Sequence, residues 1–178
     1  MVPGFELPQE PSKRSSDAAI IQKLAGLLLE NKITLSTAES CTGGGIGHWL
    51  TSQSGSSAWY LGGFITYSNA AKVRDLYVKP EDLKNFGAVS EEIAEKMALG
   101  CANKVNSELA IAVTGIAGPD GGTSDKPIGT VCFGWFLAGH LYSETLIFPG
   151  NRAEVRNQTI RHALTAAVKI MKDFPHQD

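Results

Sequence analysis

The stretch "LAIAVT", Leu109–Thr114, is apolar at five consecutive positions and carries no charged or amide side chain. A run of this kind makes a strand buried on both faces, and that requires helices above and below a sheet that is at least partly parallel. The rest of the pattern fits. Asp17 can cap a helix through "AAIIQKLAGLLLENK", with Ile20, Ile21, Leu24, Leu27 and Leu28 on one face. Ile33–Ala38 alternates as a strand, and Gly43–Thr51 has helical spacing weakened by glycines. Tyr60–Tyr67 has strand character; Asn69 is placed to cap "AAKVRDLY". Pro80 opens a short helix ending near Gly87, and Ser90 caps "EEIAEKMALGCANKV". After the apolar strand, Thr130–Leu137 and Leu141–Phe148 form a hairpin pattern around Ala138-Gly139. Asn151 with Glu154 then begins a last helix, Arg152 to about Met171, in capping-box style. The expectation is an α/β fold: a single layered domain with a mixed β-sheet flanked by helices. Residues 17–174 are expected to form it, and the proline-bearing residues 1–16 to be a flexible leader.

Composition narrows the function classes. With 178 residues and 43% hydrophobic content, the chain suits one core. A net charge of −2 without a basic block gives no footprint for nucleic acid. Three cysteines at wide spacing argue against a disulfide framework and for a reducing compartment. The four histidines form no metal-ligand spacing, so no metal and no cofactor is expected. No apolar run reaches a membrane span and the N-terminus lacks a signal-peptide pattern. These features together imply a soluble cytoplasmic protein.

In layered α/β sheets, ligands bind beyond the carboxyl ends of strands, near helix starts. Three segments qualify: 38–44, 114–122 and 148–152. In the first, Ser40, Cys41 and Thr42 precede Gly43, Gly44 and Gly45 at a strand-to-helix turn. Free N–H groups there suit a developing oxyanion, glycines admit close approach, and a serine is placed as a nucleophile. The plainer alternative is that Ser40 and Thr42 only cap the helix. Cys41 could be a nucleophile with a lowered pKa, although a small buried thiol is the commoner outcome. "GIAGPDGG", Gly115–Gly122, is a shaped backbone loop able to line a phosphate or carbonyl, or else a surface turn. Lys72 sits in the first turn of a helix, where the dipole opposes its charge; if partly buried it becomes a neutral amine and a usable base, and if not it is a solvated lysine. Arg152 and Arg156, four apart, could grip a phosphate or carboxylate, or pair with surface acids.

Taken together, "TAESCTGG" (37–44), "GSSAW" (55–59), "TYSNAAK" (66–72), "GAVS" (87–90), "TGIAGPDGG" (114–122), "KPIGTV" (126–131) and "FPGNR" (148–152) resemble the CinA C-terminal domain family. The match runs in order from about residue 20 to residue 170. It is closest to the stand-alone nicotinamide-nucleotide amidohydrolases, the PncC-like NMN deamidases. Larger relatives carry a further N-terminal domain, and the chain is expected to hold only the amidohydrolase part.

The resemblance implies hydrolysis of the carboxamide of nicotinamide mononucleotide (NMN) to nicotinic acid mononucleotide and ammonia, in pyridine-nucleotide salvage. It implies a Ser–Lys amidohydrolase without metal, working as a homo-oligomer with no nucleic-acid or membrane partner. The family's serine falls on Ser40, its lysine on Lys72, its tyrosine on Tyr67 and its arginine on Arg152; Asn151 replaces a common aspartate. Tyr67 is expected to orient Lys72 or relay a proton. Oxyanion and substrate contacts are expected from Cys41, Thr42, Gly43, Gly44, Thr114, Gly115 and Gly118. Rival readings are an inactive nucleotide-binding or regulatory module, a DNA-processing role and a Cys41 hydrolase.

Overall fold

The computed structural model describes the backbone of residues 11–174. The elements, in chain order, are α1 (Pro11–Asn31), β1 (Leu35–Glu39), α2 (Gly45–Thr51), β2 (Tyr60–Ile65), α3 (Asn69–Leu76), α4 (Pro80–Phe86), α5 (Glu91–Val105), β3 (Leu109–Gly115), β4 (Thr130–Leu137), β5 (His140–Ile147) and α6 (Arg152–Asp173). A single 3-10 turn, Ser56–Ala58, precedes β2. The five strands form one sheet in the order β2-β1-β3-β4-β5. β1 runs parallel to both β2 and β3, while β4 and β5 are antiparallel. This is the mixed, helix-flanked sheet expected from the pattern.

β3 lies at the centre, and its residues from Leu109 to Thr114 are all buried. Its two faces differ in side-chain size, and that sets how closely each helix layer packs. Ile111 and Val113 join Phe133, Trp135, Leu24, Leu28 and Leu164 in one core, under α1 and α6. Ala110 and Ala112 face the other core, with Ile93, Met97, Ala98 and Cys101 of α5. Small residues let α5 come close to the sheet. A Cβ on Gly134 would run into the Ala94 backbone, and beside the sheet one on Gly100 would meet the Leu76 carbonyl of α3, so α5 packs closely against that helix too. On the opposite face the bulk does the work, each large side chain contributing about 1.5–3 kcal/mol of burial. Trp135 also donates its indole N–H to the Ala163 carbonyl at 3.1 Å, so its polar edge is satisfied.

Two helix caps differ from expectation. α1 begins at Pro11, so residues 11–16 of the expected leader are helical and Asp17 lies within the helix rather than capping it. Asp17 instead pairs with Arg161 of α6 at 2.7 Å, tying the two helices together. Residues 1–10 of that leader lie outside the described residues. In α3 the cap is Ser68, whose hydroxyl accepts from the Ala71 amide; Asn69 is the first helical residue. Ser90 caps α5 and the Asn151–Glu154 capping box opens α6, both as the sequence indicates. Among the described residues, no helix is long and apolar enough to cross a membrane.

The registers bring several strand ends to one edge. Glu39 is level with Ile65 of β2 and with Val113 of β3. Gly115 is level with Val131, and Thr130 with Ile147 at the end of β5. The turns after β1, β2, β3 and β5 therefore open on the same side of the molecule, and α6 starts there.

Candidate active site

At that edge a cavity of about 220 Å³ is lined by Ser40 and Cys41, by Tyr67, Asn69 and Lys72, by Ala88 and Val89, by Thr114, Gly115 and Ala117, and by Arg152. The three turns singled out in the sequence all contribute to its wall, and α3 supplies the lysine.

Lys72 is 1% exposed, so its long side chain lies wholly inside the protein. Its Nζ donates to the Thr66 carbonyl at 2.8 Å and to Ser40 Oγ at 3.2 Å. Desolvation pushes its pKa below the ordinary lysine value, partly offset by the neighbouring Cys41 thiol. No carboxylate contributes to holding it charged. Ser40 is itself 8% exposed, at the step from β1 into the glycine turn, with its amide bonded to the Val113 carbonyl at 3.1 Å. The arrangement is a hydroxyl and an amine whose charged form burial disfavours, side by side at a cavity wall.

The glycine turn is not organised as the sequence suggested. Glu39, 2% exposed, turns its carboxylate into the start of α2. It accepts from Thr42 Oγ1 at 2.6 Å, from the amides of Gly44 and Ile46 at 3.0 Å, and from the Gly47 amide at 2.8 Å. The Gly43 amide is bonded to the Ser40 carbonyl at 3.1 Å. The expected oxyanion donors Gly43 and Gly44 are thus taken by the chain itself, and the Thr42 hydroxyl is turned inward. In this turn the amides of Cys41 and Thr42 bond neither to a main-chain carbonyl nor to Glu39. Sequence reasoning passed over Glu39, whose carboxylate reaches the helix start only because the glycine turn folds back over it.

Tyr67 also departs from expectation. It is 61% exposed, and its hydroxyl accepts from Arg152 Nη2 at 3.1 Å rather than touching Lys72. The lysine is oriented by the Thr66 carbonyl, a main-chain group with no sequence signature. Arg152 Nη1 donates to the Gly118 carbonyl at 2.8 Å, so the arginine bridges Tyr67 and the second glycine loop at the rim. Gly118 is buried behind that bond and does not line the cavity. Arg156 does not join Arg152; its Nη2 donates to the Thr42 carbonyl at 2.7 Å and braces the elbow from behind. Thr114 is buried with its hydroxyl donating to the Ala88 carbonyl at 2.7 Å, which fixes the opposite wall. Burial pushes the Cys41 thiol up to about 12, so it stays protonated and a poor nucleophile at neutral pH.

Comparison with known proteins bears on the family and the fold of the chain. The model of the CinA C-terminal domain matches residues 17–171. A competence-damage inducible protein of Alkaliphilus metalliredigens is 45% identical over 148 residues, covering 83% of this chain and 36% of the relative. One from Symbiobacterium thermophilum is 46% identical, with 84% and 37% covered. The chain thus spans little more than a third of the length of these curated relatives. A CinA superfamily crystal structure from Klebsiella pneumoniae is 34% identical, with TM-score 0.86, over 89% of this chain and 99% of that one. The competence/damage inducible protein of Agrobacterium tumefaciens is 36% identical, with TM-score 0.82, over 94% and 99%. With a family model spanning most of its length and solved relatives sharing its fold almost end to end, the chain belongs to the CinA C-terminal domain family.

Proposed function

We propose that the protein hydrolyses the carboxamide of nicotinamide mononucleotide, giving nicotinic acid mononucleotide and ammonia. The observation that carries this reading is the 3.2 Å contact between buried Lys72 and Ser40 at the cavity wall. In the neutral amine the contact runs the other way, the hydroxyl donating to the nitrogen lone pair. One N–H of that amine remains on the Thr66 carbonyl, which keeps the lone pair aimed at Ser40.

Ser40 Oγ attacks the carboxamide carbon and its proton passes to Lys72. The amides of Cys41 and Thr42 face the oxyanion that forms. The C–N bond then breaks, and Lys72 returns the proton to the departing nitrogen, releasing ammonia. Water attacks the acyl ester with Lys72 again as base; the acid product leaves and the Ser40 hydroxyl is restored. Arg152, at the rim, meets the nucleotide phosphate, since the elbow's own anion-binding amides are filled by Glu39. The Gly115–Ala117 stretch and Ala88–Val89 enclose the pyridine ring.

The test is ammonia release from NMN by the purified protein. Wild type is expected to turn over and Ser40→Ala to fall by about 10⁴-fold or more with an unchanged thermal midpoint. Full activity in Ser40→Ala would overturn the nucleophile. NMN binding without ammonia release would overturn the activity and leave a nucleotide-binding module.

A further inference from the structure

We propose that Glu39 is the positioning residue for both members of the reactive pair. The inference rests on the Ser40–Lys72 reading above but is tested without NMN. Its side chain and its main chain act on different partners. The carboxylate gathers one hydroxyl and three amides of the turn that follows Ser40, so the elbow closes on an internal anion. The main-chain carbonyl of Glu39 accepts from the Thr66 amide at 2.8 Å, and the Thr66 carbonyl in turn holds Lys72 Nζ at 2.8 Å. Ser40 is covalently next in the chain. One residue therefore fixes the position of the hydroxyl directly and that of the amine through a single intermediary.

The donor pattern makes the carboxylate specific. Oε2 accepts from Thr42 Oγ1 and from the Gly44 and Ile46 amides; Oε1 accepts from the Gly47 amide. All four partners are donors. A glutamine of the same shape must turn its NH₂ toward at least one N–H, so the turn has to move. The lowering of the Lys72 pKa comes from burial, and the carboxylate is assigned a different part. Its effect is geometric.

The test uses a fluorophosphonate on the full chain, with intact-mass detection and Ser40→Ala as the site control. Ser40 Oγ forms the O–P bond, the P–F bond breaks, fluoride leaves and the proton goes to Lys72. The expected result is that Glu39→Gln slows labelling at least 30-fold at a temperature well below its thermal midpoint. Thr42→Val, which removes the hydroxyl donor, should label about tenfold more slowly than Thr42→Ser, which keeps it. A merely structural cap would lower the midpoint of Glu39→Gln and leave the labelling rate of the folded protein unchanged; that outcome overturns the proposal. So does a wild type that is not labelled at Ser40. If labelling depends on Glu39 while wild type releases no ammonia from NMN, the positioning role stands and the substrate assignment falls. Should Glu39→Gln fail to fold, the Thr42 pair decides, with equal rates for Ser and Val overturning the inference.

Discussion

The turn after β1 and the loop after β3 both follow a buried strand and both are dense in glycine, yet their amides go to different places. In the first, the amides of Gly44, Ile46 and Gly47 converge on the Glu39 carboxylate, and Arg156 holds the Thr42 carbonyl from behind. In the second, Asp120–Asp125 is exposed; the Thr123 amide bonds the Lys126 carbonyl at 2.8 Å, and at the roots the Ile116 amide bonds Thr130 and the Gly129 amide bonds Ile116, at 2.8 and 2.7 Å. Lys126 pins that loop across to the Val89 carbonyl at 2.5 Å. Glycine content makes close backbone approach possible but does not say by what. The nearest carboxylate does. A turn with its own anion becomes a rigid mount for a nucleophile; a loop without one can shape itself around a ligand.

If that contrast is right, the largest effect belongs to the rigid side. Lys72→Met should lower kcat for ammonia release by about 10²–10⁴-fold with little change in KM, and a loss below tenfold would break the assignment of a general base. Next, Arg152→Ala on the rim should act on binding. It should raise KM for NMN by about 10–100-fold, the worth of a charged hydrogen bond, and leave kcat within a few-fold. An equal fall in kcat would move the arginine into the chemistry.

The two turns can also be set directly against each other. Gly44 and Gly121 both lie in the left-handed region, at φ 92° and 94°, so alanine costs each about 1–2 kcal/mol. A Cβ at Gly44 would also meet Ile65 Cδ1 at 3.0 Å, whereas at Gly121 its nearest neighbour is Ile116 Cγ2 at 3.6 Å. Gly44→Ala should therefore lower kcat, and Gly121→Ala should change KM alone. Matching kinetic profiles would erase the distinction. The smallest effect is expected at Cys41: with its thiol held protonated, Cys41→Ala should stay within about threefold of wild type in kcat.

Much of this was readable from the chain. Leu109–Thr114 announced a doubly covered central strand because it has no polar side to offer, and Ser90 and Asn151 announced helix starts through local hydrogen bonds. Ser40 and Lys72 were identifiable as a pair only through the resemblance; their 3.2 Å contact depends on β1 and β2 being in register. What was missed belongs to main-chain atoms or to competition. The Thr66 carbonyl carries no residue signature. Asn69 lost the cap to Ser68 because two good cappers were adjacent. Gly43 and Gly44 were read as free donors because no role was assigned to Glu39, whose carboxylate takes the Gly44 amide. Tyr67 was given to the lysine through the resemblance, whereas its hydroxyl meets Arg152 instead.

Lys72's burial also links pH to stability. Its folded pKa lies below the unfolded value of 10.5, so the unfolded chain binds more protons between the two. Burial then costs stability at lower pH, and wild type should gain on Lys72→Met as pH rises through that window. The most direct test of the account is the titration of Lys72 itself, followed by ¹³Cε NMR of lysine-labelled protein and assigned by the signal lost in Lys72→Met. The account predicts a midpoint below 10.5 that coincides with the pH at which kcat/KM climbs to its plateau. A Lys72 that titrates at or above 10.5, with activity already at its plateau while the amine is still charged, would contradict it.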